Sequence, residues 1–248
     1  METMKQTNIA KQSRSLIYSK MNFTASEQRL ILTLMAQINE EDSNLKPIKC
    51  TLKDLNEIYG VKLRSDNLKR NLKNINKSFW VKNDKDNWVL YNMFYKIEIE
   101  KGSSDIAFTF HPELKEHLLN LVDRVRFGKT NIKNLVHLKS KYSIRLYQIL
   151  KLHLWETEVA KREFSLDLIE LKEILMTPNS YNNFSKFNEK VLEIAEHEIN
   201  KYTDINFTYA MQKVGRKVDS ISFIIKTDML KKSRMKHDAK REYDSKFK

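Results

Sequence analysis

The sequence predicts an α+β protein made of two tandem winged-helix domains related by pseudo-symmetry. Three observations carry this reading. Residues 184–226 spell an amphipathic helix followed by a β-hairpin with a basic tip. The same order of elements occurs once more, earlier in the chain. With only 4 Gly and 3 Pro in 248 residues, there is little room for long loops.

The helix–hairpin stretch sets the pattern. Phe184, Phe187, Val191, Leu192, Ile194, Ala195 and Ile199 recur at helical spacing and make one apolar face. Lys186, Glu189, Lys190, Glu193 and His197 lie opposite. In the hairpin, Ile205, Phe207 and Tyr209 alternate with polar residues, as do Ile221, Phe223 and Ile225. Between them sits Lys213-Val214-Gly215-Arg216-Lys217, whose glycine can take a positive φ. In a winged helix the helix enters the major groove and the tip reaches phosphate or the minor groove. A helix and hairpin also occur in α+β domains that bind no nucleic acid, so the rest of the chain has to decide.

From the N-terminus, residues 1–15 are polar and read as loosely packed. Thr24 or Ser26 caps a helix with Leu30, Ile31, Leu34, Met35 and Ile38 as its stripe, ending near Asn39. A polar loop leads to a short strand at 48–50. Thr51 then caps a short helix through Leu52, Leu55 and Ile58, stopped by Gly60. A turn precedes a helix over 66–77 with Leu68, Leu72 and Ile75 inside and Arg70, Lys73, Asn74 and Lys77 outside. Two helices across a short turn, the second with a basic face, form a helix-turn-helix pattern. Strands over 79–81 and 88–100 pair, and a third runs over 106–110. Pro112 opens a helix to about Val122, and residues 123–130 form the link.

After 130 the plan restarts. A helix over Lys141–Trp155 has Ile144, Leu146, Tyr147, Ile149, Leu150 and Leu152 as core. Phe164 marks a short strand, and Ser165 caps a helix bearing Leu168, Leu171 and Leu175. Thr51-Leu-Lys-Asp-Leu thus corresponds to Ser165-Leu-Asp-Leu-Ile. The domains are expected at 1–128 and 129–230, followed by a basic tail, 231–248, with eight Lys and Arg residues.

Composition narrows the partner. The net charge is +13, which favours a polyanion: nucleic acid first, an acidic membrane surface second. At 41% hydrophobic the chain can build a core. No apolar run reaches the length of a membrane span and no apolar signal core opens the chain, so a cytoplasmic location is expected. The single cysteine, Cys50, reads as a small buried hydrophobe and excludes an internal disulfide. No phosphate-binding glycine loop is present, no two histidines are one residue apart, and no thiolate zinc site can form. His197 between Glu196 and Glu198 reads as a solvated helical stretch. No cofactor or metal is expected, and no enzyme.

Several motifs together resemble a known family. They are Leu-Lys-Ser-Lys-Tyr-Ser-Ile-Arg-Leu-Tyr-Gln-Ile-Leu-Lys at 138–151, Glu198-Ile-Asn200 with Thr203-Asp204, and Lys213-Val-Gly-Arg-Lys217 with Ile221-Ser-Phe223. Phe23-Thr-Ala-Ser-Glu-Gln-Arg-Leu-Ile-Leu32 with Gln37-Ile-Asn39 adds a fourth. Over roughly residues 8–228 the chain resembles the iteron-binding plasmid replication initiators. The resemblance implies monomers that bind repeated origin DNA, the iterons, and open A+T-rich DNA nearby. It implies homodimers, joined through the first domain, that repress the initiator's own promoter. It further implies recruitment of the host initiator DnaA and helicase DnaB, and no catalytic residues. One departure is that the family's F-plasmid member is more arginine-rich where this chain reads Ser185-Lys-Phe-Asn-Glu-Lys190.

The expected DNA contacts are Arg70, Lys73, Asn74, Lys77, Lys141, Ser185, Lys186, Asn188, Glu189, Lys190, Lys213, Arg216 and Lys217. Asn188 leans toward the core side of its helix; Glu193 and Glu196 are expected away from DNA. The hairpin over 88–110 is expected to expose Trp88, Tyr91, Met93 and Phe94 as a dimer surface, unless these pack on the helix after Pro112. Two other readings remain: a winged-helix transcriptional regulator without a replication role, and a rolling-circle nicking enzyme using one of ten tyrosines.

Overall fold

The computed structural model describes residues 8–39, 41–59, 65–101, 105–119, 121, 127–155 and 161–228. Two three-stranded antiparallel sheets organise it. In the first unit, β2 (Ile48–Thr51) pairs with β6 (Asp105–Phe110), which pairs with β5 (Phe94–Ile99). In the second, β8 (Lys161–Asp167) pairs with β10 (Lys217–Thr227), which pairs with β9 (Ile205–Val214). In both, the first strand of the unit lies beside the last, and the helices fall between. This is winged-helix topology repeated twice.

The first unit runs α2 (Ala25–Met35), β2, α3 (Leu52–Tyr59), α4 (Ser65–Ile75), β5, β6. Thr24 caps α2 with a full capping box: its hydroxyl accepts from the Glu27 N–H and the Glu27 carboxylate accepts from the Thr24 N–H at 2.8 Å. Thr51 and Asp54 repeat that exchange at α3, at 2.8 and 3.1 Å. Leu68, Leu72 and Ile75 of α4 are buried, as their spacing requires. Cys50 is buried, and burial with the nearby Asp54 and Asp105 charges pushes its thiol up to about 12.

The second unit runs α6 (Lys141–Trp155), β8, α7 (Leu168–Ile174), then α8 (Phe184–Phe187), a π turn (Asn188–Leu192) and α9 (Glu193–Tyr202), then β9 and β10. Phe187, Phe207 and Phe223 form its centre. Taking each from water is worth about 1.5–3 kcal/mol. Gly215 turns the hairpin with φ +62°, the conformation only glycine adopts freely.

Several expectations are corrected. Residues 9–15 are not loosely packed. β1 (Ile9–Ser13) pairs with β7 (Phe127–Asn131), and α1 (Arg14–Ile17) follows with Leu16 and Ile17 buried. The expected link over 123–130 is therefore a paired strand from Phe127 onward, while 122–126 lie outside the described residues. The expected strand over 88–100 breaks at Met93. β4 (Trp88–Asn92) pairs with β3 (Ser78–Lys82), and β5 pairs with β6. The cause is local: Asn76 Oδ1 takes the Phe94 N–H at 2.9 Å and the Met93 carbonyl takes the His111 N–H, which peel the chain off β3. β3–β4 is thus an insertion without counterpart in the second unit. Pro112 opens only a 3₁₀ turn and one helical turn, α5 (Lys115–Leu118).

Ser165 does not cap α7; it sits inside β8 opposite Ser222, and Asp167 Oδ1 accepts the Glu170 N–H at 2.8 Å instead. The correspondence with Thr51-Leu-Lys-Asp-Leu therefore shifts two residues, to Asp167-Leu-Ile-Glu-Leu, with Leu55 and Leu171 as matched core residues. Ile194, expected inside, is 38% exposed, because the π turn displaces the helical register around it. The basic tail, Gly60 and Gly102 lie outside the described residues.

α6 joins the two units. Ile144, Leu146, Tyr147, Ile149, Leu150 and Leu152 are all fully buried, and Ser143, Arg145, Gln148 and His153 are buried with them, so the helix is enclosed nearly all round. Most of its polar side chains find partners, the buried Ser143 hydroxyl excepted. The Arg145 guanidinium donates to the Ile17 and Ser19 carbonyls at 2.6 and 2.8 Å, and burial lowers it to about 10, still charged at neutral pH. Tyr147 donates to Asp204 at 2.7 Å, where Asn134 and Lys151 also converge. Across the units, Lys20 pairs with Glu173 at 2.7 Å while its ammonium lies 4.2 Å over the Trp88 ring.

Candidate nucleic-acid interface

The second unit presents its cations on two projections. The first is the start of the helix after Asn183, whose side chain accepts the Ser185 N–H at 2.9 Å and so fixes the helix entry. Phe187 anchors the inner side. Ser185, Lys186, Glu189 and Lys190 are left exposed. Lys190 is paired with Glu189, which raises its pKa. Asn188 is not free for a base: its amide donates to Glu193 at 2.6 Å and accepts from Tyr209 at 2.8 Å. Glu193 faces Asn188, and Glu196 acts on Tyr209, so both acids belong to the side of the helix against the hairpin.

The second projection is the hairpin. Beyond Tyr209, every residue from Ala210 to Lys217 is exposed, so β9 and the tip leave the core, while Ile221 and Val218 of β10 still pack on it. Register assigns its faces. Lys213 shares the face of Met211 and Tyr209, toward the helix; Val214 and Lys217, paired across the ribbon, share the other. Arg216 sits in the turn. Met211 and Val214, 48% and 70% exposed, are apolar groups among these cations that sequence reasoning did not single out. Their signal was an apolar residue on β9 beyond Tyr209, where that strand turns exposed.

In the first unit, α4 exposes Arg70, Lys73 and Asn74 as expected, and Lys69 as well. Lys69 and Lys73 are one helical turn apart, which was the overlooked signal. Lys77 is instead engaged with Glu27 at 2.8 Å, and Lys141 with Asn22 Oδ1 at 2.8 Å. Both also approach Asn22, and burial followed by the Lys77 charge lowers the pKa of Lys141. These two lysines therefore form a pair at the junction of α4, α2 and α6. The first hairpin differs in charge: Glu98, Glu100 and Asp105 stand near its described end, with Lys101.

Glu198 is not part of a solvated stretch. It is buried, and its carboxylate accepts the Lys139 and Ser140 N–H groups at 3.2 Å each, capping α6. Among the described residues, no group of three or more His, Cys, Asp or Glu side chains is placed to hold a metal ion. No helix among them is long and apolar enough to cross a membrane.

A family model described as initiator replication protein, WH1, matches residues 9–151, and one described as initiator Rep protein, WH2, matches residues 167–225. The chain belongs to the initiator replication protein family. The chain is 28% identical over 139 residues to a replication initiation protein of Escherichia coli. The aligned stretch covers 56% of the chain but 42% of that relative's length. Its fold is similar to that in the crystal structure of Pi initiator protein in complex with iteron DNA, with a TM-score of 0.70 at 19% identity. That match covers 91% of this chain and 99% of the Pi chain. Two winged-helix modules, WH1 and WH2, are thus present as the fold class expected from sequence requires, and the WH1 match runs on to residue 151, within α6.

Proposed function

We propose that this initiator binds repeated double-stranded origin DNA, the iterons, with both winged helices and promotes opening of adjacent A+T-rich DNA. The observation that carries the reading is the second unit's pair of projections, a helix start and a ribbon tip, each exposed and cationic on one scaffold. The Pi initiator's complex with iteron DNA supports it by analogy of fold. In this reading Lys186, Glu189 and Lys190 meet base edges, and Lys213, Arg216 and Lys217 meet phosphate or the minor groove. Arg70, Lys73 and Asn74 place the first unit on the next groove, with Lys77, Lys141 and Ser185 as flanking contacts. The second domain, residues 129–230, does most of the reading; the first, 1–128, adds contacts and dimerises. The protein works without catalysis or cofactor, in the cytoplasm, and hands the opened origin to host DnaA and DnaB.

The dimer surface is revised within this reading. Tyr91, Met93 and Phe94 are buried, so of the four residues expected to mediate dimerisation only Trp88 is exposed. Trp80 and Leu90, directly opposed on β3 and β4, join it on the outer face of the insertion, 44% and 52% exposed. A dimer formed there represses the promoter. The test is to supply the gene in trans to a plasmid lacking its initiator. Maintenance of the plasmid is expected; its loss, with the protein expressed and folded, refutes a replication role.

A further inference from the structure

The helix after Asn183 changes its hydrogen-bond pattern once. At the π turn the Glu193 N–H donates to the Asn188 carbonyl, five residues back. In an α-helix, residues five apart stand about 140° from each other around the axis. A π turn brings them to one side. The side chains use that proximity, since Asn188 Nδ2 donates to Glu193 Oε1 at 2.6 Å. The other end of the amide accepts from Tyr209 Oη at 2.8 Å. Tyr209 is the last residue of β9 before the tip that is not exposed. Burial and the charges of Glu196 and Glu193 push its phenol up to about 12, so it remains a donor at neutral pH.

Reverting to α geometry would break the Asn188–Glu193 pair. It would also rotate α8 against α9 by about one residue's 100°, which turns Ser185, Lys186 and Glu189 to a different heading. We propose that Tyr209, acting through Asn188 and Glu193, is a positioning residue for base recognition: from the root of the wing it locks the π turn that sets which side chains of 184–190 face DNA. The proposal rests on the DNA-binding reading above, and gives the wing a role in specificity separate from its phosphate contacts.

The test uses the full chain. Wild-type protein selects duplexes from a randomised pool of about two helical turns. Tyr209→Phe and Glu193→Gln, which keeps an acceptor oxygen, are then titrated on the selected duplex and a scrambled one at fixed salt. Hydrogen exchange of the Glu193 amide is followed without DNA. Tyr209→Phe is expected to lose about 10-fold on the selected duplex and nothing on the scrambled one, with faster Glu193 exchange. Glu193→Gln should stay near wild type. Unchanged selectivity in Tyr209→Phe, or equal loss on both duplexes, overturns the proposal. If wild-type protein selects nothing, the DNA reading itself fails; the lock is then judged by exchange alone, and unchanged Glu193 exchange in Tyr209→Phe refutes it.

Discussion

Lys186 and Arg216 each expose one positive charge, and the proposed DNA reading gives them different tasks. Lys186 lies in the first turn of a helix, where groove-facing side chains meet base edges; Arg216 lies on a ribbon tip, where backbone phosphate is nearest. Lys186→Ala or Glu189→Ala should cost roughly 1–3 kcal/mol on the specific site and little on random duplex. Arg216→Ala should weaken both about equally. Titrations on selected and scrambled duplexes at fixed salt check this, and the reverse pattern would exchange the two roles. Cys50 supports a prediction of a different kind. Its thiol is raised to about 12 in the folded chain, from an ordinary 9.0. Between those values the unfolded chain has lost the proton that the folded chain keeps, so stability is full below pH 9 and falls as pH rises toward 12. The slope approaches about 1.4 kcal/mol per pH unit. Thermal melts from pH 8 upward should show Cys50→Ala losing part of this decline, and native Cys50 should resist alkylation.

The elements show where sequence is informative and where it is silent. α6 was legible to the residue, because fifteen positions of consistent apolar spacing outweigh local noise. The wing was legible because two alternating runs flank a glycine turn. β1 was not: Ile9-Ala-Lys-Gln-Ser13 is short and polar, and its partner β7 lies more than a hundred residues away. The break at Met93 was equally hidden, since it depends on the side chain of Asn76, just past the end of α4. The π turn carries no period that a helical reading would flag, which is why Ile194 was misplaced and Asn188 was offered to DNA. The β1–β7 pair also yields a mutation. At Gly128, an added Cβ would collide with Cδ1 of the buried Ile17. Gly128→Ala should therefore destabilise the fold by about 1–3 kcal/mol through overpacking, read as a lower midpoint in urea. Ile17→Val in the same background should restore part of it.

At the scale of the whole molecule, charge and symmetry act together. A net charge of +13 promises affinity for any polyanion; in the proposed reading the two-unit scaffold would give that affinity a register on DNA. The candidate contacts were legible as residue types at exposed spacing. Their engagement was not: that Lys77 is held by Glu27, and Asn188 by Tyr209, are tertiary facts. If about 6 phosphates are neutralised, log K against log salt should fall with a slope near −5; a slope near zero would detach the charge from binding. Light scattering should show a concentration-dependent dimer that Trp80→Glu with Leu90→Glu abolishes, with DNA binding by the monomer retained.

Hydroxyl-radical footprinting of the monomer on a selected duplex tests the two-unit reading most directly. Two winged helices on one rigid α6 should protect two stretches of backbone, centred about one helical turn, roughly 10 base pairs, apart. Arg70→Ala with Lys73→Ala should weaken protection in one stretch and Arg216→Ala in the other. A single protected stretch, untouched by changes in α4, would contradict the claim that both units bind.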